Sequence, residues 1–179
     1  MLLGLSAVAT LLASLVFAYF MLMFHNSEWP LDGIRRPAVG TPAIGLALLV
    51  ASTVPVLLAG RAIGAGRQRE LRLWLATAAV LGVVILGMQA RGYAGLGFAH
   101  DVNAYTSLFV TLSAFHTINL VIALILNFAT QARAWLGHFS AEYHEGVRLA
   151  ALFWYWAVVC GIVLFATLFL GPLLDPAVQ

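Results

Sequence analysis

The chain has 179 residues, of which 63% are hydrophobic and only 9% charged, and its mean hydropathy is +0.97. Such a composition excludes an ordinary soluble domain. Five apolar stretches are long enough to cross a bilayer, which takes about 20 residues of helix. Lipid offers no partner for backbone polar groups, and the stretches lack the two-residue alternation of a barrel strand. We therefore predict an all-α, polytopic membrane helical bundle with five transmembrane helices.

The predicted helices run in chain order over residues 2–24, 42–60, 73–91, 104–129 and 148–174, so that residues 1–179 form a single domain. The first is interpreted as a retained helix, because no basic residue precedes it and it is too long for the apolar part of a typical signal peptide. Pro55 lies inside the second helix and is expected to kink it. The glycines from Gly60 to Gly66 are expected to end that helix.

The positive charges are all arginines, and the sequence pI is about 9.0. Six fall on the side of the N-terminus (Arg61, Arg67, Arg69, Arg72, Arg133 and Arg148), and three fall on the other side (Arg35, Arg36 and Arg91). Since arginine is enriched in cytoplasmic loops, this asymmetry predicts a cytoplasmic N-terminus and an outside C-terminus. The basic segment from Arg61 to Arg72 is short and lies against the membrane, so no nucleic-acid partner is expected.

Ionisable side chains at bilayer depth often mark transport or proton transfer, because burying them is costly. The carboxylates of this chain fall instead in connecting segments or at helix ends: Glu28, Asp32, Glu70, Asp101, Glu142, Glu145 and Asp175. His116, about midway along the fourth helix, is the exception. Asn119 lies one turn later on the same face. We expect His116 and Asn119 to make structural polar contacts between helices.

Metal and redox chemistry find little support in the sequence. His138 and His144, with Glu142 and Glu145, match no strong zinc pattern and are interpreted as part of a solvated loop. The other histidines, His116 apart, lie near the interfaces, so no pair inside the bundle is placed to bind a haem. We therefore expect no metal and no cofactor in this chain, and no catalysis by the chain alone.

An aromatic trio, Trp154-Tyr155-Trp156, lies early in the last helix. It is typical of an interfacial aromatic belt combined with core packing. It would also suit a face that docks a partner subunit or a bound lipid. Composition alone favours the packing interpretation.

Seven short motifs follow one another along the chain. They are Phe24-His25-Asn26-Ser27 with Trp29-Pro30-Leu31-Asp32-Gly33-Ile34; Ala51-Ser52-Thr53; Trp74-Leu75-Ala76-Thr77 with Leu81-Gly82 and Gln89; Tyr105-Thr106-Ser107-Leu108-Phe109; Phe115-His116-Thr117-Ile118-Asn119; Arg133; and His138-Phe139 with His144, Gly146, Ala150-Ala151 and the aromatic trio. In this order and spacing they resemble cytochrome c oxidase subunit III of the haem-copper oxidases. The five helices correspond to the last five of the family's seven, as in its shorter bacterial forms.

The chain also departs from the pattern of that family. Gly92 stands where the family has a glutamate, Asn119 where it has a second histidine, and Arg148 where a glutamate opens the last helix. The segment Ala157-Val158-Val159-Cys160 replaces His-Phe-Val-Asp. The resemblance therefore implies a divergent subunit III-like protein.

The resemblance implies a non-catalytic accessory subunit of a respiratory haem-copper oxidase, one that stabilises the catalytic subunit I and holds bound lipid. Haem and copper would lie in the partner subunit. The expected partners are subunit I, other membrane subunits and phospholipid, in the inner (plasma) membrane of a bacterium. Arg133, at the position of the family's helix-end arginine, and Trp154 are the candidate lipid-binding residues.

Two other functions stay open at this point. A subunit III-like partner of a nitric oxide reductase would fit the missing carboxylates. A small stand-alone membrane transporter would need a polar path, for which the sequence offers only His116, Asn119, Gln89 and scattered hydroxyl groups.

Overall fold

The computed structural model describes residues 2–174. These residues are about 81% helical and contain no strand, and five helical segments are long and apolar enough to cross a membrane. The predicted fold class, an all-α bundle with five transmembrane helices, is confirmed. The elements are α1 (Leu2–His25), α2 (Gly40–Ala51), α3 (Thr53–Gly64), α4 (Gln68–Ala94), α5 (Ala104–Trp135) and α6 (Glu145–Phe165), with a π-helical turn (Ala166–Leu170) and a 3-10 turn (Gly171–Leu174) after α6.

The helices exceed their predicted limits mainly at one end of the bundle. We call this the Arg133 end; it contains the connections 65–67 and 136–144. The opposite end, with the connections 26–39 and 95–103, is called the Arg91 end. At the Arg133 end α3 reaches Gly64, α4 starts at Gln68, α5 ends at Trp135 and α6 starts at Glu145. The added turns contain arginine, glutamine and glutamate, which continue a helix well but lower its hydropathy.

The second membrane span consists of two helices, since α2 ends at Ala51 and α3 begins at Thr53. The break lies just before Pro55, where the sequence predicts a kink. Proline has no N–H to donate to the carbonyl four residues earlier, which here belongs to Ala51, and its ring crowds that carbonyl. At the break the Ser52 hydroxyl donates a hydrogen bond to the Leu49 carbonyl at 2.6 Å.

Glycines end two of the helices at the Arg133 end. After α3, Gly66 adopts a left-handed backbone conformation with φ of 71°. Its N–H donates to the Ile63 carbonyl at 2.9 Å, and the next N–H, of Arg67, donates to the Ala62 carbonyl at 2.9 Å. This pair of bonds is a Schellman motif, which glycine favours because it has no Cβ. Gly137 ends α5 with the same handedness, at φ of 76°.

The start of α5 is fixed by a capping box. Asn103 Oδ1 accepts a hydrogen bond from the Thr106 N–H, and Thr106 Oγ1 accepts one from the Asn103 N–H, both at 3.1 Å. The Asn103 amide also donates to the Asp32 carboxylate at 2.9 Å. The first connection is therefore held against the start of α5.

Helix α5 contacts α1, α4 and α6, and α3 pairs with α4 across the three-residue turn. At the Arg91 end the core is aromatic. Trp29 lies between Tyr19 and Tyr105, with ring centroids 5.3 and 5.2 Å apart in edge-to-face geometry. The Trp29 indole N–H donates to the Tyr19 hydroxyl at 3.0 Å, so this buried polar atom has a partner.

Candidate functional site

Several of the polar side chains inside the bundle lie around the middle of α5. His116 lies twelve residues after the first residue of α5, which corresponds to about 18 Å along a helix axis. The hydrocarbon core is about 30 Å thick, so His116 lies well inside it. Its side chain is 7% exposed, and that of Asn119 is 4% exposed. Polar groups at this depth need partners from neighbouring helices.

Four of these side chains form a continuous chain of hydrogen bonds between α4 and α5. The Tyr93 hydroxyl lies 2.7 Å from Thr117 Oγ1. Thr117 Oγ1 can donate its single hydrogen to Gln89 Oε1 at 3.1 Å or to the Ser113 carbonyl at 3.0 Å. Gln89 Nε2 in turn lies 2.9 Å from His116 Nδ1. As the Gln89 amide is oriented here, its Nε2 donates this hydrogen bond and His116 Nδ1 accepts it.

The other edge of the His116 ring lies against the backbone of α6. A Cβ atom placed on Gly161 would be 2.9 Å from His116 Nε2 and 2.5 Å from Leu49 Cδ2, closer than real Cβ atoms approach other groups. Glycine therefore lets α2, α5 and α6 approach one another at this level. His116 Nε2 is buried and has no hydrogen-bond partner within residues 2–174.

Asn119 joins α5 to α6. Its Oδ1 accepts a hydrogen bond from the Trp156 indole N–H at 3.0 Å, and its Nδ2 donates to the Phe115 carbonyl one turn earlier at 2.8 Å. The structure thus places His116 and Asn119, which the sequence predicts as structural polar contacts, in hydrogen bonds to two different neighbouring helices.

Trp154 lies inside the bundle and is 1% exposed. Its indole N–H donates to the Ser52 hydroxyl, 2.9 Å away, at the break between α2 and α3. The far edge of the ring packs on Gly82 of α4, where a Cβ would lie 2.9 Å from Trp154 Cη2. These contacts tie α6 to three other helices. A lipid contact of Trp154 stays a prediction, and the contacts described here are those of a packing residue.

Arg133 is exposed near the C-terminal end of α5. Its guanidinium lies over the Phe139 ring, with Cζ 5.0 Å from the centroid. Gly146 of α6 is close enough that an added Cβ would lie 3.4 Å from Arg133 Nη1. On the same end of the bundle, Arg72 lies over Trp135 at 4.7 Å and donates to the Ala134 carbonyl at 3.2 Å. Lipid binding by Arg133 stays a prediction.

A cavity of about 620 Å³ lies between α2, α4, α5 and α6 in the half of the bundle that includes the Arg91 end. Its wall is mainly apolar, and Gln89 and His116 lie at its deep end while Arg91 and Tyr93 lie on α4 toward the Arg91 end. Nothing in the sequence indicates this cavity, because its wall is assembled from four separate helices.

The internal polar groups are suited to holding helices together. Within residues 2–174, no three His, Cys, Asp or Glu side chains come together in a group that could hold a metal ion. The sequence offers Gln89 as a motif residue and as one of the few polar groups for a transport path, and Ser52 only within a small-polar motif. Their roles as partners of His116 and Trp154 depend on pairings between helices far apart in the sequence.

Comparison with known proteins gives one consistent result. The family model for cytochrome c oxidase subunit III matches residues 1–171. Among the similar proteins are cytochrome c oxidase subunit 3 of Thermostichus vulcanus, 29% identical over 154 residues, of Synechocystis, 27% over 165 residues, and of Arabidopsis thaliana, 28% over 163 residues. The resemblance drawn from the seven motifs is confirmed.

The aligned regions cover most of this chain but less of its relatives. The alignment with the Thermostichus protein includes 86% of this chain and 76% of that protein. The corresponding shares are 92% and 71% for Synechocystis, and 86% and 62% for Arabidopsis. For the relative from Pylaiella littoralis the covered share is 52%. The chain thus spans between about half and three quarters of the length of these relatives.

Proposed function

We propose, since the chain belongs to the cytochrome c oxidase subunit III family, that it is a non-catalytic accessory subunit of a respiratory haem-copper oxidase. In this proposal the chain packs against the catalytic subunit I and stabilises it. The haem and copper centres belong to that partner, and this chain supplies no ligand to them.

The observation that carries the proposal is the family match over residues 1–171. The contacts inside the bundle support it. The buried side chains of His116, Asn119 and Trp154 bond to groups of the chain's own helices, as expected of a scaffold. On α5, Ile118, Ile122 and Ile125 are exposed at helical spacing, a surface that can face lipid or a neighbouring subunit.

Phospholipid is part of the proposal, with Arg133 as its headgroup ligand. The Phe139 ring covers one face of the guanidinium, which leaves the N–H groups at its edge free to bind a phosphate in bidentate fashion. The orientation is also proposed: the arginine-rich Arg133 end faces the cytoplasm of a bacterium, across its plasma membrane. A protease-accessible tag at either terminus, tested in sealed cells, would show which end is outside.

The test is affinity purification of the tagged full chain in mild detergent, with an optical spectrum and mass spectrometry of the proteins that accompany it. Co-purification of haem and of a large membrane subunit rich in histidine is the expected result. The identity of that subunit also separates an oxidase from a nitric oxide reductase partner, and the names of the relatives favour the oxidase. A colourless protein recovered alone would overturn the proposal and favour a stand-alone transporter.

A further inference from the structure

The cavity near the Arg91 end has the depth of one leaflet of a bilayer. Its wall on α2 runs from Thr41 to Leu49, and these nine residues span about 12 Å of helix. Half of the hydrocarbon core measures about 15 Å. Its deep end, at Leu49, His116 and Gly161, therefore lies near the middle of the membrane, and its opposite end lies close to one surface.

The wall has the chemistry of an acyl-chain site. Apolar side chains such as Leu46 of α2, Ile85 of α4 and Leu164 of α6 supply most of it. At the deep end, His116 Nδ1 is occupied by Gln89, and His116 Nε2 is covered by α6. The cavity therefore presents mainly carbon surface to an occupant. Its volume of about 620 Å³ is within the usual range for small-molecule sites, about 300–1,000 Å³.

Arg91 supplies a positive charge at the end of the cavity near the membrane surface, where the headgroup of a bound lipid would lie. Arg91 lines the cavity near the C-terminal end of α4, and its side chain is exposed. Within residues 2–174, the ion pairs closer than 4.0 Å involve other arginines, Arg67 with Glu70 and Arg148 with Glu145. An arginine at this level binds phosphate well.

We infer that this cavity is a binding site for one acyl chain of a phospholipid whose phosphate pairs with Arg91. The site lies in the leaflet opposite the one that Arg133 faces, so it is separate from the lipid contact proposed there. It depends on the placement of the chain in a membrane and does not depend on which catalytic subunit accompanies it.

Two glycines provide a matched test. Gly45 lines the cavity, and an added Cβ there meets no atom within 4 Å, so Gly45→Phe would place a ring in the cavity. Gly87 of α4 is exposed, is not part of the cavity wall and has the same free space, so Gly87→Phe is the control. The tagged full-length chain with its co-purifying subunits is delipidated, incubated with phosphatidylglycerol and weighed by native mass spectrometry.

The expected result is that Gly45→Phe binds one phospholipid fewer than wild type and Gly87→Phe. Arg91→Gln should lose a lipid at lower collision energy than Arg69→Gln, an exposed arginine at the other end. Equal lipid numbers in the two phenylalanine variants would overturn the inference. Loss of a quinone, a free fatty acid or a protein subunit, without loss of a phospholipid, would also overturn it.

If Gly45→Phe does not fold, the comparison of Arg91→Gln with Arg69→Gln tests the inference by itself. Loss of phospholipid at the same collision energy in both variants overturns the inference. The same spectra show whether a haem-bearing subunit is present. Absence of the haem-bearing subunit would count against the proposed function alone. If that subunit is present and the Gly45→Phe and Arg91→Gln variants bind lipid as their controls do, the result counts against this site alone.

Discussion

Replacing Gly161 by alanine tests the close approach of α2, α5 and α6 at the centre of the bundle. The new Cβ would lie 2.5 Å from Leu49 Cδ2 and 2.9 Å from His116 Nε2, so both side chains would have to move. Extra methyl groups in a packed core cost about 1–3 kcal/mol. Displacing His116 would also weaken its bond to Gln89, and interhelical bonds of this kind contribute about 0.6 kcal/mol on average in membrane proteins.

Alanine also favours the helix by up to about 1 kcal/mol over glycine, which offsets part of this cost. We therefore expect Gly161→Ala to lower the free energy of unfolding by about 1–3 kcal/mol, measured by denaturant titration of the purified chain in mild detergent. Gly87→Ala is the control, because its Cβ meets no atom within 4 Å, and it should leave stability unchanged or slightly raised. Equal stability of the two variants would refute the close packing described at Gly161.

Three further substitutions test individual contacts. His116→Leu leaves the Gln89 amide without its partner, at a cost of about 1–3 kcal/mol in stability. The variant should assemble less well with its partner subunit, without a change in the haem spectrum of the complex that survives. Adding Gln89→Leu should restore part of the loss, and wild-type assembly of His116→Leu alone would contradict the contact. Trp154→Phe removes the bond to Ser52, and a double-mutant cycle with Ser52→Ala should give a coupling energy of about 0.6 kcal/mol and at most about 1.7 kcal/mol in unfolding free energy. Full additivity of the two substitutions would show that the side chains do not interact. Gly66→Ala forces a side chain into a left-handed conformation and should lower the melting temperature by an amount equivalent to about 1–2 kcal/mol, whereas an unchanged value would exclude this turn geometry.

The hydropathy of the sequence predicts the number of membrane spans and their order, because about 20 consecutive apolar residues have few other structural explanations. Hydropathy is less informative at the Arg133 end, where α4 begins at Gln68 and α5 continues to Trp135. These turns are polar, and their helical structure depends on propensity and on packing between α3, α4 and α5. At Ser52 the predicted single helix divides into two, consistent with the local effect of Pro55.

The candidate site could be predicted in part. A histidine and an asparagine one turn apart indicate polar contacts, and their family motif adds support. The hydrogen-bond partners of these two residues could not be predicted. Gln89 and Trp156 lie 27 and 37 residues away from His116 and Asn119, and no periodicity in the sequence connects them. Trp154 illustrates the same limit, since an aromatic residue near a helix end suits either a lipid belt or a buried core, and only packing against Gly82 and Ser52 distinguishes the two.

Site-directed photo-crosslinking in cells tests the central claim, contact with a haem-bearing subunit, most directly. A photoreactive residue would replace one exposed apolar side chain on each membrane span in turn: Phe17, Val54, Val80, Ile118 and Val159. Leu112, which is fully buried, serves as the control that should capture no other protein. We expect positions on one face of the bundle to crosslink to a haem-containing membrane subunit. Crosslinks to lipid alone, or to unrelated proteins, at all five positions would contradict the accessory-subunit proposal.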